Sequence, residues 1–229
     1  VCSIFVNPTQ FNNPSDLEKY PRTTESDINI LTENKCNILY LPKESDLYEE
    51  NEESKHFDFD GLDTYMEGSG RKGHFNGVAT IVEKLFRITT PEKAFFGEKD
   101  LQQLQIIKYI TQQLKLSVEI IGIPTKRENS GLAMSSRNKL LSETNLQKAN
   151  VIYQTLKFIK ENADNFSVEE LKKFAIEKFG NQTNVNLEYL EIVSLEKLQP
   201  ISEFKDANEN AACIAASISS VRLIDNIIF

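Results

Sequence analysis

Long hydrophobic runs are missing from this chain. No stretch approaches the roughly 18 consecutive apolar residues that a membrane-spanning helix needs, and no basic segment followed by an apolar core marks a secretory leader. Cysteine is scarce and scattered: Cys2, Cys36 and Cys213 are odd in number, far apart and outside CxxC spacing, which argues against a disulfide framework or a zinc site and for reduced thiols. An excess of positive charge is missing as well. With 26 Lys and Arg against 34 Asp and Glu, the net charge of -8 excludes a broad surface built to neutralise a nucleic-acid backbone. A small anionic ligand needs only a local cationic cluster and stays open. There is no internal repeat, low-complexity tract or Gly/Ser linker. The expectation is a soluble, cytoplasmic globular protein, with neither a nucleic acid nor a membrane as partner. At 40% hydrophobic residues over 229 positions, it can bury one large core or two modest ones.

The pattern of what is present changes near Thr125. Before it, Val1–Val6 reads as a buried strand stopped by Asn7-Pro8, Glu25–Glu33 as a polar helix and Ile38–Leu41 as a short strand halted at Pro42. The acidic stretch from Pro42 to Asp60 reads as a solvated loop. Val78, Ile81, Val82, Leu85 and Phe86 have the spacing of an amphipathic helix over Asn76–Ile88. Lys93–Phe96 is a strand, Leu101 to Leu114 a helix, and Val118–Ile123 another strand. Alternating strands and helices predict an α/β unit with a parallel sheet over residues 1–124. From 125 to 229, a polar loop, two helices (Leu146–Lys160 and Val168–Phe179) and three strands (Val185–Val193, Ala211–Ile218 and Val221–Ile228) predict a smaller α+β domain.

Ligands of open α/β sheets sit beyond the carboxyl ends of the strands, so polar groups placed there are the candidates. Asn7-Pro8-Thr9-Gln10-Phe11 offers a rigid turn and, in Gln10, an amide that both donates and accepts, which suits a hydroxy acid. Gly97-Glu98-Lys99-Asp100 is a turn entering a helix, where backbone N–H groups and Lys99 favour phosphate and Asp100 can accept from a ribose. Gln103, one helical turn further on, can face the same cleft. Met134-Ser135-Ser136-Arg137-Asn138 brings two hydroxyls and a guanidinium together in a loop, a set suited to phosphate oxygens. The glycine-rich run 68–77, with Arg71, Lys72 and His74, reads as a mobile basic wall or lid, and both His74 and His56 read as structural or solvent-facing.

Taken in order, SIFVNPTQF, YPRT, GRKGHFNGVATIVEKLF, AFFGEKDLQQL, IIGIPTKRE, GLAMSSRN and RLIDN resemble the pantothenate synthetase, or pantoate–β-alanine ligase, family over nearly the whole chain. The resemblance implies a Rossmann-like nucleotidyltransferase domain, a smaller C-terminal domain, ATP between them and a homodimer. It implies a two-step reaction in which the pantoate carboxylate attacks the α-phosphate of ATP, releasing pyrophosphate, and β-alanine then displaces AMP. Carried over by residue, Gln10 and Gln103 would hold pantoate, with Gln10 also beside β-alanine. Gly97, Glu98, Lys99 and Asp100 would bind ATP, and Lys126 would approach adenine through its backbone. Met134, Ser135, Ser136 and Arg137 would form a phosphate loop similar in role to the KMSKS loop of some aminoacyl-tRNA synthetases. Lys99, Ser135, Ser136 and Arg137 would be the catalytic groups, and Mg2+ would arrive with the ATP phosphates, with no protein metal ligand assigned.

The family's HxGH motif is expected upstream of Val1, since neither His56 nor His74 fits it, and on that expectation the chain as given is an impaired ligase. Two rival readings remain: another adenylate-forming nucleotidyltransferase, and a nucleotide-binding protein without catalysis.

Overall fold

The computed structural model describes residues 1–11, 17–18 and 20–229. Its first half is built of short parallel strands and helices. Strand β1 (Cys2–Ser3) pairs in parallel with β2 (Leu39–Tyr40), helix α1 (Thr24–Glu33) lying between them in sequence. Strand β3 (Lys93–Gly97) pairs in parallel with β4 (Glu119–Ile123) across helix α3 (Leu101–Gln113), and helix α2 (His74–Thr89) precedes β3. Parallel neighbours joined through helices are the α/β pattern anticipated from the alternation of elements.

The first strand is shorter than its apolar run. Only Cys2–Ser3 joins the ladder, extended by a bond from the Ile4 N–H to the Tyr40 carbonyl, and Val1 is exposed. The reading of Pro42–Asp60 as a solvated loop is corrected in part. Leu47, Tyr48, Phe57 and Phe59 are buried, because the apolar residues spaced among the carboxylates dock on α2 and its neighbours. Polar ties hold the same segment. The Lys55 N–H donates to Thr80 Oγ1 (2.9 Å), and Lys55 Nζ pairs with the buried Glu83 (2.8 Å).

Helix α2 begins at His74, two residues before the expected start at Asn76, and ends at Thr89, where the left-handed φ of 41° at Thr90 stops it. Its buried side chains divide between two clusters. Phe75 and Ala79 pack with Leu101, Ile106 and Ile110, whereas Val78, Ile81, Val82 and Phe86 pack with Ile107 and the β3–β4 side chains.

The C-terminal portion is an antiparallel meander, β5 (Val185–Ser194), β6 (Asn210–Ile218) and β7 (Val221–Ile228), preceded by helices α4 (Glu143–Asn162) and α5 (Val168–Gly180). Helix α5 starts in a capping box, with Ser167 Oγ accepting from the Glu170 N–H and the Glu170 carboxylate accepting from the Ser167 N–H. Side chains of β6 alternate between two cores. Ala212, Ile214, Ala216 and Ile218 face Ile152, Leu156, Leu171 and Phe179 of the helices, and Ala211 and Cys213 face the cluster of Phe59, Phe75 and Leu101. Burial on both faces explains why the strand reads as one apolar run with no polar alternation. It also presses one face of the meander against the first half of the molecule, which is where the cavity described next lies. No described helix is long and apolar enough to cross a membrane.

Candidate functional site

One cavity is lined from both halves: Met66, Glu67, Arg71, His74 and Phe75 form a wall, Lys99 and Asp100 come from the β3–α3 turn and Gln103 from the start of α3, and Tyr189, Cys213, Ile224, Asp225 and Asn226 come from the meander. The wall is the glycine-rich segment, here wound into a short helical turn (Glu67–Gly70) and the start of α2. Gln102, buried beside the cavity, anchors it. Its Nε2 donates to the Leu62 and Tyr65 carbonyls (2.7 and 2.9 Å), and its Oε1 accepts from the Glu67 N–H (3.0 Å).

Glu67 is the electrostatic hub of this wall. Its carboxylate accepts two bonds from the Arg222 guanidinium (3.0 and 2.7 Å) and one from the Tyr189 hydroxyl (2.9 Å), with Arg71 at 3.4 Å. Burial alone would push this carboxyl up, but the Arg222 pair and the other donors hold it below its ordinary value, so Glu67 is ionised at neutral pH. Burial raises the Tyr189 hydroxyl pKa, and the Glu67 charge adds to it, which keeps the phenol a donor. Burial pushes the Cys213 thiol up to about 12, leaving it neutral and inert as a nucleophile.

The Asn7–Gln10 turn is docked onto this wall. Asn7 Nδ2 donates to the Gly77 carbonyl (3.1 Å), while Asn7 Oδ1 accepts from Thr9 Oγ1 (3.2 Å) and the Tyr48 hydroxyl (2.8 Å). The contact is so close that a Cβ on Gly77 would stand 2.5 Å from the Thr9 carbonyl oxygen. The Gln10 carbonyl then accepts from His74 Nδ1 (2.8 Å) and Arg71 (3.4 Å), and Arg71 also meets His74 Nε2 at 3.1 Å. Since Arg71 can only donate, this network assigns His74 as the neutral Nδ1–H tautomer. His74 is therefore not solvent-facing. It is a buried cavity-wall residue that fixes the backbone of Gln10.

The Glu98–Asp100 turn that carries Lys99 is held by Asn226, whose side-chain amide donates to the Glu98 and Lys99 carbonyls (2.8 and 2.9 Å). Next to it, Asp225 receives Arg127 through two bonds (2.6 and 3.0 Å). Burial pushes the Asp225 carboxyl up, and the Arg127 pair opposes that shift. Arg127 continues to the Gly131 carbonyl (3.1 Å) and lies over the Tyr153 ring at 4.2 Å. The loop it organises leads to Ser135, whose Oγ accepts from the Arg137 N–H (3.2 Å) at the head of a 3-10 turn. Arg137 itself lies 5.7 Å from the Tyr20 ring. Burial lowers the Arg71 pKa despite Glu67, and the charges of Arg222 and Arg137 lower it further.

Lys99, Asp100 and Gln103 thus share one cavity; Gln10 does not line it, but its backbone carbonyl is bonded to Arg71 and His74, which do. Gly97, Glu98, Lys126, Met134, Ser135, Ser136 and Arg137 do not line it. Gly97 ends β3, Met134 is exposed, and the Lys126 carbonyl is taken by the Met134 N–H (2.9 Å). Sequence reasoning passed over Glu67, Tyr189, Arg127 and the polar residues of β7. The last of these carried a signal. Arg222, Asp225 and Asn226 interrupt an otherwise apolar final strand, and charged or amide groups in a buried strand need partners. Among the described residues, no group of three or more His, Cys, Asp or Glu could hold a metal ion.

Comparison with known proteins agrees with this architecture. The chain is similar to a pantothenate synthetase from Christiangramia forsetii, 46% identical over 228 residues that span 99% of this chain and 81% of that protein. A second, from Flavobacterium psychrophilum, matches to the same extent, at 46% identity over 99% of this chain and 81% of its own length. The crystal structure of pantothenate synthetase from Thermus thermophilus superposes with a TM-score of 0.92 at 38% identity, covering 98% of this chain and 81% of that one. A pantoate-beta-alanine ligase from Francisella tularensis, complexed with beta-gamma ATP and beta-alanine, superposes with a TM-score of 0.78 at 36% identity over 99% of this chain and 77% of its own. The profile of the Pantoate-beta-alanine ligase family matches residues 1–228, and the chain belongs to that family.

Proposed function

We propose that this site activates pantoate with ATP and joins it to β-alanine, giving pantothenate, AMP and pyrophosphate. The observation that carries the reading is the cavity itself. Lys99, Asp100 and Gln103 face one space with the wall that grips Gln10, in a chain of the ligase family. Gln10 and Gln103 hold pantoate, and Gln10 reaches the β-alanine position. Gly97, Glu98, Lys99 and Asp100 take ATP, with Asp100 on the ribose and the Lys126 backbone near adenine. Met134, Ser135, Ser136 and Arg137 close on the phosphates.

The chemistry joins two anions, so donors must be aimed at the charge that develops on the α-phosphate and on departing pyrophosphate. Lys99, Ser135, Ser136 and Arg137 supply those donors. Mg2+ accompanies the nucleotide, since this ion keeps several waters and is commonly held by substrate phosphates with few protein ligands. The reading divides the chain at 124/125 and takes a cytoplasmic homodimer as the working assembly. Sedimentation at micromolar concentration tests the dimer.

Pantoate-dependent pyrophosphate release from ATP, followed by β-alanine-dependent AMP release, is the expected activity, at the lowered rate expected of a chain whose two histidines do not form the HxGH motif. Lys99→Ala should lower pyrophosphate release by about 10²–10³-fold, the scale for removing one charge-stabilising donor. An unchanged rate in that variant would sink the assignment of Lys99.

A further inference from the structure

The RLIDN run at the end of the chain has no role in ligand binding in the reading above, yet it touches both phosphate-facing segments. Arg222, Ile224 and Asn226 alternate along β7 and so project from one face of the meander, the face that packs on the first half of the molecule. We propose that Asn226 is a positioning residue for the nucleotide reaction, acting through Lys99; this rests on the assignment of Lys99 to the ATP phosphates.

The geometry is specific to a primary amide. Asn226 is buried, and its Nδ2 spans 2.8 Å to the Glu98 carbonyl and 2.9 Å to the Lys99 carbonyl. An amide nitrogen carries two hydrogens, and here each meets one of two successive carbonyls. These carbonyls belong to the two peptide planes that flank the Lys99 Cα. Fixing both planes fixes the direction in which the Lys99 side chain leaves the backbone. Because the peptides are trans, it also turns the N–H groups of Lys99 and Asp100 away from Asn226. A flexible lysine gains most from such restraint at its root, where a small rotation becomes a large displacement of the ammonium.

Asn226 is itself held rigidly. Its backbone N–H donates to Asp225 Oδ1 (2.8 Å), and its carbonyl accepts from Arg127 (3.1 Å). Arg127 bridges to Ala133 and bonds the Gly131 carbonyl, and the next residue's N–H, that of Met134, donates to the Lys126 carbonyl. Two adjacent residues of β7 therefore hold the Lys99 turn and the root of the Met134–Arg137 loop in one frame. An aspartate at position 226 would aim lone pairs at both carbonyls, and a serine could satisfy only one. The side chain that fits is the one present.

The test is a double-mutant cycle on pantoate-dependent pyrophosphate release, measured at saturating ATP with enzyme in excess, alongside thermal midpoints. Asn226→Ala should lower the saturated rate by about 10–100-fold, as a misplacement of the order of 1 Å does in oriented active sites. In the Lys99→Ala background the same change should cost at most a few-fold more, because the group it positions is gone. Asn226→Ser should recover part of the rate. Ile192→Val, which trims the core of the same sheet away from the cavity, should lower the midpoint and leave the rate within about twofold. The proposal is overturned if Asn226→Ala keeps the wild-type rate, or if its full loss recurs without Lys99. Should Asn226→Ala fail to fold, Asn226→Ser carries the cycle. A Lys99→Ala enzyme with wild-type rate would instead refute the underlying role of Lys99.

Discussion

Acidification from pH 7 to pH 5 should weaken the fold through one ring, that of His74. Its Nδ1–H donates to the Gln10 carbonyl, and its Nε2 faces Arg71 at 3.1 Å, so a second ring proton would point at a group that can only donate. Burial, and then the Arg71 charge, push the His74 pKa down to about 4 from its ordinary 6.5. Above the higher value both folded and unfolded chains hold a neutral ring, and the stabilisation is fully present. As pH falls through the window, the unfolded chain takes up a proton that the folded one refuses, and stability is lost. The loss amounts to about 2 kcal/mol between pH 7 and pH 5, approaching ~3 kcal/mol once the folded ring also titrates. Glu67, held below its ordinary value, adds its own loss at lower pH, and the Asp225 carboxyl, pushed up by burial, works in the opposite direction, so the comparison with a His74 variant is what isolates the histidine. Urea unfolding of wild type and His74→Gln at both pH values measures the difference. The Gln variant should lose about 2 kcal/mol less than wild type over that interval. Parallel losses in the two proteins would refute the neutral, doubly engaged ring.

Gly77→Ala should lower stability by about 1–3 kcal/mol, the usual cost of overpacking, because its Cβ would meet the Thr9 carbonyl oxygen at 2.5 Å. Since that contact seats the Gln10 turn, the KM for pantoate should rise more than that for ATP, and steady-state kinetics separates the two. Gly131→Ala combines a φ of +93° with a Cβ 2.2 Å from the Tyr153 ring, so about 2–3 kcal/mol of stability and much of the turnover should go together, checked by chemical denaturation and pyrophosphate release. Arg222→Leu leaves the buried Glu67 carboxylate with Arg71 and Tyr189 alone. Allowing for the partial exposure of Arg222, the loss should be about 2–3 kcal/mol, and adding Glu67→Gln should restore part of it, as read from thermal midpoints.

Most of the helices and the three long C-terminal strands were legible because their residues obey local periodicities. The spacing from Val78 to Phe86 can bury one stripe only as a helix, and Val221–Ile228 coincides with its strand to the residue. The acidic segment misled because its charges are read before its sparse apolar residues, and only the packed structure shows Leu47, Tyr48, Phe57 and Phe59 entering the core. Local composition likewise marked NPTQF, GEKD and MSSRN as polar turns after strands, since a strand end followed by Gly, Pro, Asn or Ser has few other conformations. Together with YPRT, GRKGHFNGVATIVEKLF, IIGIPTKRE and RLIDN, their order along the chain carries the family resemblance.

What composition and spacing could not decide is which distant groups meet. Glu67 pairs with Arg222 across 155 positions, Arg127 with Asp225 across 98, and Asn226 with Lys99 across 127. None of these pairs leaves a periodic trace, because each depends on how one face of the meander is set against the first half of the molecule. Sequence alone determined the elements and the types of side chain available for the chemistry. Tertiary structure decided their partners, since burial removes water as an alternative and each buried charge or amide must then find its match within hydrogen-bonding reach.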